Sequence, residues 1–294
     1  MTYAAHEELV GPARNGRHGV LWTLAGCGLI AAITYALTLL MVESVRSFFD
    51  HRGDFGFAEA LFQGTTPATL LTVLFSFSAW VAGTWVALRW VHNRSFAPLL
   101  GHAVIGHFGR VATALVILHV VILVLPPWDL LDDTRRGLAV GRWLALLPIS
   151  LLAILIQVSA EEILFRGYLQ QQLAARFRSP VVWMGVPSVL FALAHYDSQM
   201  GSNAWLIVIW AAVFSILMAD ITARTGSLGA ATASHFANNA IGMLIISPPD
   251  YLSGLALYTY TFAMTDEAVI RSLLPVDFAL MIVSWLAARL ALRR

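Results

Sequence analysis

Charge is what this 294-residue sequence has least of: Asp, Glu, Lys and Arg make up 12% of it, against 59% hydrophobic residues and a mean hydropathy of +0.74. A soluble domain carries about 25% charged residues, so an ordinary soluble protein is excluded and an integral membrane protein is implied. Lys is missing altogether. All 18 basic residues are Arg, and a net charge of +1 leaves no basic tract for a nucleic acid partner. The single cysteine, Cys27, excludes an intrachain disulfide and a cysteine-based metal cluster. No small-residue cleavage site follows the first apolar run, which is also too long for a signal-peptide core. Repeats of 20 to 50 residues, a separate soluble domain and an HExxH helix are absent as well.

What is there is a series of apolar runs. A bilayer core takes about 20 residues of helix. By that measure spans are expected at Val20 to Val42, Thr69 to Val91, Val111 to Leu125, Trp143 to about Gln172, Val181 to about Tyr196, Ala204 to Ile221, Leu228 to Ile246 and Leu273 to Leu292. The fold class is thus all-α, a polytopic membrane helix bundle of about eight transmembrane helices, with the third and fifth short. Pro126-Pro127 and Pro248-Pro249 stop spans three and seven. Residues 1 to 19 read as polar. The Arg residues near span ends favour a topology with both termini cytoplasmic. Trp22, Trp90, Trp128, Trp143 and Trp205, close to span ends, read as interfacial anchors. The chain divides into a three-span region over 1–142, a core of spans four to seven over 143–247, and a loop with the last span over 248–294.

Three polar sets interrupt the apolar spans of the core. In the first, Ser159 to Tyr168, two carboxylates and an arginine lie inside a membrane run, where each charge costs roughly 2.5–3.5 kcal/mol at the helix centre. Glu162 and Arg166 are four apart and share a helix face, which reads as an intrahelical pair. Glu161 is rotated by about 100° and left to face something else. The second set ends at His195, and the third holds His235 and Asn239, again four apart. If spans four and five turn near Arg178, Glu161 and His195 lie 17 residues before and after the turn. Both are then about 25 Å along their helices, at similar depth.

A carboxylate beside an imidazole, away from bulk water, can deprotonate a water and deliver a proton to a leaving amine. A second His with an Asn can donate to the oxyanion formed when that water attacks an amide. Hydrolytic acyl transfer uses all four: Glu161, His195, His235 and Asn239. Two His and one Glu are also a known zinc set, so a zinc metallopeptidase at the same residues is the alternative to cofactor-free hydrolysis. A proton relay in a transporter and a non-catalytic membrane partner are further readings. Asn238 reads as a helix-packing amide, and His102, His107 and His119, without carboxylate neighbours, as structural.

The ordered trio Glu161-Glu162-x-x-x-Arg166, Phe191-x-x-x-His195 and His235-x-x-x-Asn239 resembles the three motifs of the CPBP (CAAX protease and bacteriocin-processing, or Abi) family, over about Leu144 to Ile246. The resemblance implies a bundle of about eight helices and an intramembrane glutamic-type endopeptidase related to the type II CAAX prenyl endopeptidase. It further implies that Glu161 and His195 activate the water and that His235 and Asn239 form the oxyanion site. The expected substrate is a protein or peptide presented from the lipid bilayer, and the expected location a bacterial cell membrane. The family spans prenyl-protein proteases, bacteriocin maturation and self-immunity proteins, sorting-type proteases and scaffolds, and the residues do not choose among them.

Overall fold

A computed structural model describes residues 3–53, 57–124 and 133–294. Pro126-Pro127 and Trp128, expected to end span three and to anchor it, lie outside the described residues. The chain opens with α1 (Ala4–Arg14), which buries His6, Leu9, Val10 and Ala13. That spacing is one helix face. The stretch expected to be merely polar is therefore an amphipathic helix, its few apolar residues too sparse to stand out in a hydropathy reading. It packs on α8 (Gln171–Arg176) and α11 (Ala204–Thr225).

Next comes α2 (Val20–Asp50), whose 31 residues give roughly 46 Å of helix, longer than the ~30 Å hydrocarbon core. Its far end carries its own charges, Arg46 pairing with Glu43 and Asp50 at 2.6 and 3.0 Å. A short α3 (Phe57–Gln63) leads to α4 (Pro67–Ser76), opened by a Thr66–Thr69 capping box, and α5 (Ser78–Trp90). The third span, α6 (Val104–Val124), starts seven residues before the expected Val111. Gly106, His107, Gly109 and Arg110 interrupt the apolar run without interrupting the helix.

The fourth span is a single rod, Val140–Arg176, of α7 (Val140–Glu162), a π-helical stretch Ile163–Gln170, and α8. It is followed by α9 (Pro180–Trp183), α10 (Gly185–Leu193), a 3₁₀ segment Ser198–Asn203 and α11. After α11 come α12 (Gly229–Ala240), a second π stretch Ile241–Ile245 and α13 (Glu267–Leu292). Among the described residues, six helical segments are long and apolar enough to cross a membrane: Val20–Asp50, Pro67–Trp90, Val104–Val124, Val140–Arg176, Ser198–Thr225 and Glu267–Leu292. The fifth and seventh expected spans fall on the shorter helices α9–α10 and α12 with its π extension. These carry the second and third polar sets.

The loops add a small sheet that no periodicity announced: β1 (Thr134–Arg136) pairs antiparallel with β3 (Tyr258–Tyr260), which pairs parallel with β2 (Ile246–Ser247). At two to three residues each, the strands are too short for an alternation pattern to register. A bridge also joins Gly101 to Ser227. Gly101 sits there at φ +79°, and a Cβ would fall 2.1 Å from the Gly226 carbonyl oxygen. Gly229 does the same service for α12: a Cβ would lie 2.1 Å from the Val104 carbonyl. The run Gly229 to Ser234 is all small residues, which lets the backbones of α12 and α6 come together where lipid supplies little drive for association.

Candidate active site

The first polar set sits where α7 gives way to the π-helical stretch, directly after Glu162. π turns are rare and concentrate at functional sites, and the widened turn shifts the phase of the side chains beyond it. Glu162 is fully buried. Its Oε1 accepts from Arg166 Nη1 at 3.0 Å, the expected i,i+4 pair, at 1% and 0% exposure. Arg166 is held further by Ser215 of α11, donating to its hydroxyl at 2.9 Å and its carbonyl at 3.2 Å, and its guanidinium lies 4.8 Å over the Phe191 ring. The charge is thus matched by one carboxylate, two oxygens and an aromatic face, as a buried guanidinium requires.

The same Glu162 Oε1 also takes His235 Nδ1, from α12, at 2.8 Å. A carboxylate oxygen accepts, so Nδ1 carries the proton and the opposite atom, Nε2, is the one presented to Glu161, 3.5 Å from its Oε2. Glu161 is buried, yet Oε2 has no hydrogen-bond partner. The second carboxylate is therefore turned away from Arg166. Its neighbouring imidazole is His235 and not, as the register argument suggested, His195 in the first instance.

His195, two residues past the end of α10, donates Nδ1–H to the Phe191 carbonyl at 2.8 Å, and its ring lies 4.5 Å from the Phe191 ring. The backbone thereby fixes its tautomer, leaving Nε2 basic. Asn239 donates from Nδ2 to Gln157 Oε1 at 2.9 Å and accepts from Asn238 at 3.1 Å. Phe214 closes the back of the site, its ring 5.0 Å from that of His235.

Glu161 of α7, His235 and Asn239 of α12, and His195 of the turn after α10 line one cavity of about 580 Å³. Glu162 and Arg166 lie behind it. Sequence reasoning missed several of the walls: Gln157, one turn before Glu161; Trp210 and Phe214 of α11; and Tyr251, Leu252 and Met264 of the loop ahead of α13. Only Gln157, a polar residue four before Glu161, carried a signal. Asn238, read as a packing amide, is exposed and lines the cavity too. The walls also draw on 62–80 and 251–264, outside the 143–247 core. Removal from bulk water, and behind that the carboxylates of Asp197 and Glu161, hold the Tyr251 phenol above its ordinary value, so it is a neutral hydroxyl facing the site.

His119 donates to the Leu115 carbonyl at 2.7 Å, and the His102 and His107 rings meet edge to face at 5.7 Å. Trp143 is no simple anchor: its Nε1–H reaches the Leu244 carbonyl at 2.9 Å, tying α7 to the second π stretch. Among the described residues, no three His, Cys, Asp or Glu side chains are grouped to hold one metal ion.

Residues 143–241 match the family model described as type II CAAX prenyl endopeptidase Rce1-like. That interval contains all three polar sets. A curated relative, the uncharacterized protein YyaK of Bacillus subtilis (strain 168), is 23% identical over 191 residues, 62% of this chain. The alignment spans 63% of the relative's length. No solved structure shows significant similarity to the chain.

Proposed function

Starting from an Rce1-like match over 143–241 in a polytopic helical membrane protein, we propose that this chain is an intramembrane glutamic-type endopeptidase acting on a protein or peptide presented from the bilayer. The observation that carries the proposal is the unequal use of the two carboxylates. Glu162 is consumed by Arg166 and His235, whereas Glu161 Oε2 lies buried at the cavity with His235 Nε2 as its neighbour.

Glu161, ionised, takes a proton from a water held between it and His195, and the resulting hydroxide attacks the scissile carbonyl. His235, as the imidazolium throughout the cycle, keeps Nδ1–H on Glu162 and donates Nε2–H to the oxyanion without giving that proton up, with the Asn239 amide as second donor. The proton on Glu161 then passes through His195 to the leaving amine, and the C–N bond breaks. Proton and oxygen are accounted for by one water, without a covalent enzyme intermediate.

The test is the fate of membrane proteins in cells that carry Glu161→Gln in place of the native chain. At least one membrane protein accumulates uncleaved there and is processed again when the native chain returns; an unchanged membrane proteome rejects the proposal. The zinc reading is separated on purified protein. Turnover persists after exhaustive chelation under the present proposal, whereas stoichiometric zinc whose removal abolishes turnover and whose return restores it assigns the site to a metallopeptidase.

A further inference from the structure

Away from the cavity, on the side of the bundle where α1 runs into α2 and α5 ends, Arg94 is 93% removed from solvent by its 7% exposure. Its Nη2 donates to Gln171 Oε1 at 2.9 Å, and its Nη1 has no partner. Among the described residues no carboxylate pairs with it. Burial draws Arg94 down to about 10. Arg166, also buried, is answered by Glu162; Arg94 is not. An unanswered guanidinium at such depth is costly unless an anion completes it.

The surroundings are built around that side chain. Arg94 lines a cavity of about 230 Å³ with Asn15, Gly16, Asn93 and Ser95. Gly16 is needed where it stands, since a Cβ would lie 2.8 Å from the Arg94 stem. Asn93 takes φ +54°, turning the chain so that Arg94 enters the protein. The lining residues therefore carry a guanidinium, two amides and a hydroxyl, and none is a carboxylate. Close by in sequence, Arg17 lies 4.5 Å over the Trp22 ring, and Trp22 and Trp90 are 44% and 70% exposed. Exposed Trp at span ends marks the level of the lipid headgroups.

We propose that the Arg94 cavity is a binding site for a phosphate group, and that at headgroup depth its natural source is an anionic phospholipid. Arg offers a planar fork suited to phosphate, and basic pockets at the membrane surface take anionic headgroups. The site is independent of the peptidase reading. It ties bound lipid to the rod that carries Glu161, because Gln171 holds Arg94 with its oxygen and the Leu99 carbonyl with its amide, at 2.9 Å.

The full chain, purified in a nonionic detergent, is followed by its unfolding midpoint. Four additions are compared: short-chain phosphatidylglycerol, short-chain phosphatidylcholine, and sodium phosphate against sodium chloride at equal ionic strength. Phosphatidylglycerol raises the midpoint by a few degrees, as a ligand of the folded state does, and phosphatidylcholine does not. A matching rise with inorganic phosphate shows that phosphate alone suffices; a rise confined to phosphatidylglycerol identifies the lipid as source.

Arg94→Gln abolishes the response. Ser95→Asp, which leaves Arg94 in place and brings a carboxylate to the cavity, also abolishes it and decides the matter if the first variant does not fold. No rise with either phosphate source, an equal rise with phosphatidylcholine, or an undiminished rise in a folded variant overturns the assignment.

Discussion

Oxygen Oε1 of Glu162 accepts from Arg166 and His235 at once, and this single atom explains why two adjacent glutamates are chemically unequal. Replacing Glu162 by Gln leaves Arg166 buried without its counter-charge. Breaking a buried pair from one side costs roughly 3–5 kcal/mol. Glu162→Gln is therefore expected to lower the denaturation midpoint strongly and to reduce activity along with it, because His235 loses its anchor. Glu161→Gln removes a carboxylate that holds no buried cation by a hydrogen bond, and leaves stability within about 1 kcal/mol of the native chain, in the range of ordinary substitutions, while turnover disappears. Denaturant melts of the two variants check this division, and equal losses refute it. Arg166→Lys separates charge from shape at the same place. An ammonium cannot reach Glu162 and Ser215 with a rigid fork, so a stability loss is expected although the charge remains, and a native midpoint contradicts the geometry.

Among the elements, α1 makes the clearest pH-dependent prediction. His6 is 3% exposed, stacks at 4.2 Å on Trp183, and accepts at Nε2 from the Gln170 amide at 3.2 Å, an arrangement that needs the neutral ring. Burial lowers it from 6.5 to about 4. Between those values the detached helix binds the proton and the docked helix does not, so docking is at full strength above pH 6.5 and weakens as pH falls toward 4. At pH 5 the loss is about 2 kcal/mol. Hydrogen exchange of the α1 amides, corrected for intrinsic rates, should show protection about thirtyfold lower at pH 5 than at pH 7.5. His6→Leu should show no such change; an unchanged native profile refutes the account.

The elements also show how far the sequence could be read. Long apolar runs located the six long spans, and i,i+4 spacing found the Glu162–Arg166 pair, because both are local properties of one helix. What escaped was set between elements or below the length of a period. His235 reaches Glu162 across 73 residues, the π stretches have no residue pattern of their own, β1 to β3 are two or three residues each, and α1 shows its buried face only once α8 and α11 are there to receive it.

At the scale of the whole molecule, two short backbone pairings bear on topology. Gly101 bridges Ser227, and Arg136 shares a sheet with residues 246–260, so each pairing holds its partners at one end of the bundle. An even number of crossings must separate each pair. Between Gly101 and Ser227 lie three long spans, Val104–Val124, Val140–Arg176 and Ser198–Thr225, so the short α9–α10 segment is expected to cross as well. The same count between Arg136 and Ile246 then requires α12 with its π extension to cross, making eight crossings in all. Reporter fusions after Arg94, Arg178 and Arg294 should agree with one another and oppose one after Arg136; Arg94 and Arg136 on one side would sink this topology.

Glu161 is proposed to activate a water for peptide-bond cleavage inside the membrane. The most direct test of that role is hydrolysis in H₂¹⁸O by membranes containing either the native chain or Glu161→Gln, with mass spectrometry of newly formed peptide C-termini. New C-termini carrying one ¹⁸O are expected with the native chain and none above background with Glu161→Gln. The same set of labelled C-termini from both membranes would contradict that role.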